Sequence, residues 1–546
     1  MALLIGACGG GDDNGGGDSD GGTGSEEPGT PTPGGSLTYG LEADTTGGWC
    51  LAEAQLAIAG IQVARAIYDT LTAPDENGEI KPFLAESFES NADATEWTFK
   101  LREGVKFHDG TDLTAQVVKD NIDAWRGALP ERSPLLFTFV FPDIDTVEVV
   151  DPLTVKVTTK RPWPALPWFF WSSGRLGIMG EAQLKDPENC NTNMIGTGPF
   201  TKDSWITNER FVAKKNPNYW RSDANGVQLP YLDEIVFIPS PNSPERLTAV
   251  QAGDLTMAHM SGALQITELR EDVDAGRLSS VESEQWAEVG YAMLNATKAP
   301  FNNRAARLAA AHAINRDQYN ELRNNGILTN ASGPFAPGAP GYLEDAGYPE
   351  YDADKAREYV AQYEEETGED FTFGLSYVSD PETQKTAQLI QSMLEEVGIT
   401  ANLVAIPDQS TAINTAIARG FDAILWRNHP GADPDTQYVW WHCSVAPPAA
   451  CDNPVNFAGF NDPEINTLFD EGRVELDEAA RTAIYEDINR EMAKEVYDLW
   501  AQWTLWAIAT QNGVHGVLGA DLPDGSGPFT GLATGHPVDG LWIEQD

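Results

Sequence analysis

FTFGLSYVSDPETQKTAQLIQSMLEEVGITANLVAIPDQSTAINTAIARGFDAILW, residues 371–426, decides the fold class. Residues 371–377 alternate apolar and small side chains and are rich in β-formers, which predicts a strand. Asp380 stands where an N-cap is needed and Pro381 takes the first helical position. Ala387, Ile390, Leu394 and Val397 then recur at spacings of three and four until Gly398 ends the helix. Residues 399–406 repeat the strand pattern, 408–419 the helical one, and 421–426 follow Gly420 as a third strand. This β-α-β-α-β order implies parallel strands joined by right-handed crossovers. In such sheets ligands bind beyond the carboxyl ends of the strands, here residues 378–380, Pro407 and 426–429.

The pattern extends in both directions. Asp462-Pro463 opens a helix, and Asp477 caps a longer one with Ala480, Ile484, Ile488 and Met492 on a core-facing stripe. Toward the N-terminus, 97–101 and 146–158 look like antiparallel strands around a helix over 115–125, with Thr114 as its N-cap. A second sheet system therefore precedes the first, and a length of 546 residues implies two to four structural units.

Composition narrows the function. With 35 Lys and Arg against 83 Asp and Glu, the net charge is 35 − 83 = −48, which would repel a nucleic-acid backbone and weakens any case for docking on anionic lipid through a basic patch. At 41% hydrophobic and 10% aromatic the chain can still pack a core, and it has no run of about 18 apolar residues. Residues 1–8, MALLIGAC, resemble a truncated bacterial signal peptide ending in a lipobox, which implies acylation at Cys8. Residues 9–35 are Gly, Asp, Ser, Thr and Pro with little to bury, so they are expected to be a disordered tether. The membrane would be met only through that lipid anchor, with the folded part outside the cytoplasm. Four cysteines remain for two disulfides in that compartment. Cys443 and Cys451 flank a short loop with Pro447 and Pro448 and are paired on that ground, leaving Cys50 with Cys190. No Cys-x-x-Cys or His-x-x-x-His spacing suggests a metal, and no cofactor is expected.

Nine strings in order carry a resemblance. YDTLT (68–72), PFLAESF (82–88) and WTFKLREGVKFHDG (97–110) are followed by GTGPF (196–200), NPNYW (216–220), LDEI (232–235) and the segment 246–254. Residues 301–316, ending AINR, and YDADK (351–355) continue the series. Together they resemble the peptide/nickel class of ABC-transporter solute-binding proteins, family 5, from about Ser36 to the C-terminus. Locally, Gly196 and Gly198 permit a tight bend and Pro199 fixes the next strand; His108 beside Asp109 could be half of a catalytic pair, but the resemblance implies a structural turn. The resemblance implies an α/β, two-lobed, periplasmic-binding-protein-like (Venus flytrap) fold with an extra subdomain in lobe I. Lobe I would span 36–285 and 507–546 with the subdomain at 76–189, and lobe II 295–506, with crossings near 291–296 and 506–512. Lobes closing on a small solute, a peptide first among candidates, would present a shape that ABC permease subunits recognise. A monomer is expected.

The same resemblance places a lobe II carboxylate after the strand ending at Trp426, where it would pair with a peptide's α-amine. Counting back from Asp433-Pro434 puts Pro430 at that position, so either Asp433 serves from a shifted loop or the ligand lacks a free amine. Arg427 has two readings, a carboxylate clamp or a solvated strand end. Asn428, His429 and Tyr438 share the loop, and Trp49, Trp426, Trp440 and Trp441 lie near expected cleft edges, where flat rings can stack on ligands. Trp163, Trp168, Phe169, Phe170 and Trp171 crowd one Pro-rich loop that either packs between subdomains or lines the cleft. An oligosaccharide or other non-peptide solute is the alternative cargo, and a secreted hydrolase the alternative class. For the latter, Gly17-Asp18-Ser19-Asp20-Gly21 matches the nucleophile-elbow string but lies in the tether, and no His-Glu-x-x-His or phosphate-loop motif occurs.

Overall fold

The structure is a computed structural model that describes residues 29–545 except 46, 55, 135–136, 172–175, 429–430 and 448. Cys8 and most of the expected tether lie outside the described residues. The deciding stretch folds as its pattern predicts. Strand Thr372–Val378 runs into helix Pro381–Glu395, whose N-cap Asp380 accepts hydrogen bonds from the Glu382 and Thr383 amides. Strand Thr400–Ile406, helix Gln409–Ile417 capped by Asp408, and strand Ala423–Asn428 follow. Thr372–Val378 pairs in parallel with both other strands, and Ala387, Ile390, Leu394 and Val397 are buried against them. Two antiparallel strands, Val289–Leu294 and Asp498–Trp503, complete a five-stranded sheet.

The helix Glu478–Glu495 departs from its predicted stripe. Ile488 and Met492 are buried, but Ala480 is exposed, Ile484 is half-buried, and Tyr485 takes the core-side place. The first turns are anchored by an ion pair from Arg481 to Asp433 rather than by apolar packing.

The first lobe is built on a seven-stranded sheet in the order Leu278–Ser283, Trp506–Gln511, Met257–Met260, Ser36–Leu41, Glu234–Pro239, Arg210–Lys215, Phe200–Ile206. Inserted into it is a four-stranded antiparallel sheet, Ala85–Ser90, Glu96–Leu101, Thr154–Thr159 and Ile144–Asp151, covered by helix Ala115–Trp125 with Thr114 as its N-cap. One continuous core runs from Leu37 and Tyr39 through Ile61 to Phe99 and Val155, so the subdomain is fused to this lobe, whereas the five-stranded lobe has a core of its own around Met293, Leu375 and Trp500. His108 joins subdomain and lobe, with Nε2 3.0 Å from the Gly198 carbonyl and Nδ1 accepting from the Gly196 amide. A Cβ at Gly196 would meet the Ile67 carbonyl oxygen at 1.9 Å, so that position requires glycine.

Between the sheets the chain crosses twice, at 284–288 and 504–505. Both crossings fall a few residues before the expected ones. Tyr291 is already paired with Trp426 in the five-stranded sheet, and Trp506 with Ser283 in the seven-stranded one. Disulfides join Cys50 to Cys190 and Cys443 to Cys451, with Cα separations of 5.0 and 5.3 Å. Among the described residues no helix is long and apolar enough to cross a membrane.

Candidate functional site

The carboxyl ends of the parallel strands converge on one edge of the five-stranded lobe, and the chain leaves the last of them at Asn428. Beyond it a short 3-10 turn, Pro434–Gln437, is capped by Asp433, whose side chain accepts from the Asp435 amide. Gly431 is pinned in this loop, because a Cβ there would meet Thr436 Oγ1 at 2.0 Å. Asn428 is buried and donates to Gln437 Oε1 at 2.8 Å. Asp433 is also buried, and both its oxygens are held by Arg481 at 2.5 and 2.8 Å. Its carboxylate is therefore committed to a neighbour in the same lobe. His429 and Pro430 lie outside the described residues.

The aromatic candidates sort by environment. Trp49 is fully buried in the first lobe, edge-on to Trp205 and Phe211, and borders a small cavity with Leu41, Val63 and Phe237. Trp441 is buried between Tyr291, Phe460 and Trp500, while Trp426 and Trp440 both pack on Phe457. Of the crowded loop, Trp163, Phe169 and Phe170 join the fused core. Trp168 and Trp171 join a separate cluster with Trp286, Phe529, Ala339 and Ala432. This cluster draws on both lobes and on the 284–288 crossing.

Charged groups link the lobes at two places. At the crossings, Arg427 Nε lies 3.0 Å from Glu288 and Nη2 3.4 Å from Glu42, with the guanidinium 5.2 Å from the Trp506 ring centre. Burial lowers the Arg427 pKa, but Glu288 and Glu42 outweigh it and keep the group above its usual value. Farther out, Trp163 of the subdomain donates to Asp435 at 2.7 Å, and Arg161 reaches Asp470 at 2.7 Å and the Tyr438 hydroxyl at 3.1 Å. From the other side Arg473, 1% exposed, bonds Asp435 at 2.8 Å and Asp143 at 3.1 Å and lies 3.7 Å from the Tyr438 ring centre. Burial would raise Asp470, yet hydrogen bonds involving His442 and Arg161 hold it well below the usual carboxylate range. Tyr438 is thus a member of a clasp between lobes. Glu42, Glu288, Asp143, Arg161, Asp470 and Arg473 escaped the sequence reading. Only Glu42 had a usable signal, as the residue that follows a strand end.

Comparison with known proteins places this geometry. A family profile described as bacterial extracellular solute-binding proteins, family 5 (middle region), matches residues 79–448. The glutathione-binding protein GsiB of Shigella flexneri serotype 5b is 31% identical over 345 residues, 63% of this chain and 65% of that protein. GsiB of Escherichia coli K12 is 31% identical over 344 residues, 63% of this chain and 64% of its own length. The chain thus spans a little under two thirds of these relatives. Among solved structures, AgaA of A. tumefacien R10 in complex with agropinic acid superposes with a TM-score of 0.80 at 25% identity, covering 94% of this chain and 99% of AgaA. DppA of Helicobacter pylori in complex with peptide STSA shares the fold, with a TM-score of 0.80 at 22% identity over 94% and 99% of the two chains.

Proposed function

The chain belongs to the bacterial extracellular solute-binding proteins of family 5, and from that membership we propose that it captures a small solute between its lobes and delivers it unaltered to an ABC import permease. The observation that carries this reading is architectural. Two α/β lobes with separate cores are joined by only two short crossings, and named groups on each lobe engage the other across the gap. Such a pair can hinge, and a solute binding both faces stabilises the closed form. A peptide or an amino-acid-derived solute is the favoured cargo, supported by relatives and neighbours named for glutathione, a peptide and an opine. The receptor would act outside the cytoplasmic membrane, held there by lipid on Cys8.

In this reading the predicted loop residues divide by role. Asn428, Asp433 and Trp441 shape the wall, Arg427 and Tyr438 tie the lobes together, and Trp426 and Trp440 remain the partly exposed rings of the set. Thermal melting with glutathione, short peptides, opines and oligosaccharides tests the proposal. A ligand at a hundredfold excess over Kd should stabilise the fold by about 2.7 kcal/mol, and native mass spectrometry should recover it unchanged. Chemical turnover of the bound solute would defeat the receptor reading, and stabilisation by oligosaccharides alone would defeat the peptide assignment.

A further inference from the structure

Helix Ile58–Ile67 buries nine of its ten residues, and the tenth is Arg65. This side chain is half-buried, with its guanidinium carbon 4.8 Å from the ring centre of Trp171. Its Nε and Nη2 are both buried and have no hydrogen-bond partner among the described residues. No other described arginine has two such nitrogens. Arg246 reaches the His259 and Ser240 carbonyls, Arg473 two carboxylates, and Arg481 both oxygens of Asp433. The nearby carboxylate of Asp69 does not serve Arg65, because it accepts from Thr197, Trp220 and Tyr219. Burial accordingly pulls the guanidinium pKa down to about 9, with Asp69 only partly opposing.

Nε and Nη2 form one edge of the guanidinium, the edge whose parallel N–H groups match the fork of a carboxylate. Arg270 uses the same edge in this protein, holding Glu282 through Nε at 3.1 Å and Nη2 at 2.6 Å. Place decides what Arg65 could hold. Trp171, on which it stacks, packs on Phe529 at 5.1 Å, and Phe529 on Trp286 at 4.6 Å. The same cluster takes in Ala432, in the loop after the last parallel strand of the opposite lobe, and Ala339. Arg65 therefore stands beside an apolar contact between the two lobes. A cation at the C-terminal turn of a helix gains from the helix dipole, but that gain needs no buried donor edge and is available to a solvated side chain.

We propose that the Nε/Nη2 edge of Arg65 is a carboxylate subsite, gripping a carboxylate of the solute through two parallel hydrogen bonds while Trp171 backs the guanidinium plane. The proposal rests on the receptor reading above and narrows its cargo to solutes with a free carboxylate placed for the first lobe. The test uses the full chain and Arg65→Met, which keeps the side-chain volume and removes the charge. Without added solute, R65M should melt at or above the unsubstituted protein, because an unpaired buried cation is removed. The probes are the peptide Ser-Thr-Ser-Ala, its C-terminal amide, glutathione and agropinic acid. Free-carboxylate probes should bind the unsubstituted protein roughly 100-fold more tightly than R65M, and the peptide amide should bind both proteins alike. A lower melting point for solute-free R65M, or equal affinity of both proteins for the carboxylated probes, overturns the subsite. If no probe binds either protein and native mass spectrometry finds no retained small molecule, the receptor reading itself falls.

Discussion

Asp498 is fully buried, and neither carboxylate oxygen has a hydrogen-bond partner among the described residues, so burial pushes its pKa well above the usual carboxylate value. The folded state keeps a proton that the unfolded chain loses near pH 4. Its contribution to stability is therefore complete below that pH and declines as pH rises toward the folded pKa. Asp498→Asn should raise the melting point at pH 8, with the gain shrinking toward pH 4 in melts across that range. His536 has the opposite sign. It is 1% exposed beside Tyr39 and burial brings its pKa down to about 4, so its contribution is present above pH 6.5 and lost as pH falls through 4. That loss amounts to about 3 kcal/mol between those limits, and His536→Gln should flatten this part of the acid-unfolding curve. At this scale the sequence is legible where partners are neighbours. The caps at Thr114, Asp380 and Asp477 bond amides two or three positions away. The partner of Asp433 is 48 positions off and that of Arg427 as many as 385, and such distances leave no periodic trace.

The elements show the same limit at larger size. The parallel unit 371–426 could be read because strand and helix periods alternate within it, yet nothing local marks Val289–Leu294 and Asp498–Trp503 as its added antiparallel strands. The crossings fall earlier than expected for that reason. The two disulfides differ in the loops they close, with sequence separations of 140 and 8. In the chain-entropy account the longer loop is worth about 5 kcal/mol and the shorter about 2.5 kcal/mol. Replacing Cys50 and Cys190 by serine should therefore lower the denaturant-extrapolated stability about twice as much as replacing Cys443 and Cys451. Equal losses would mean that the unfolded chain retains structure around one pair.

For the whole molecule, the net charge of −48 makes self-repulsion a general destabilising effect. Salt should screen it, so the melting point is expected to rise between 0.02 and about 0.5 M NaCl rather than fall. The clasp between subdomain and opposite lobe acts against the same repulsion. Arg473→Met would leave Asp435 buried without its cation and should cost about 3–5 kcal/mol, whereas Arg427→Gln at the partly exposed crossing should chiefly broaden the distance distribution seen by X-ray scattering. The Cys50–Cys190 bond has a different bearing on such measurements. It bolts the loop after the first strand to the far end of the inserted subdomain, beside a backbone hydrogen bond from the Trp49 amide to the Asn191 carbonyl. Three bodies therefore amount to two units, the flap being tied to its frame. Dyes on either the flap or the frame, each paired with one on the opposite half, should report a single synchronous displacement, before and after reduction, because the shared core also holds flap and frame together.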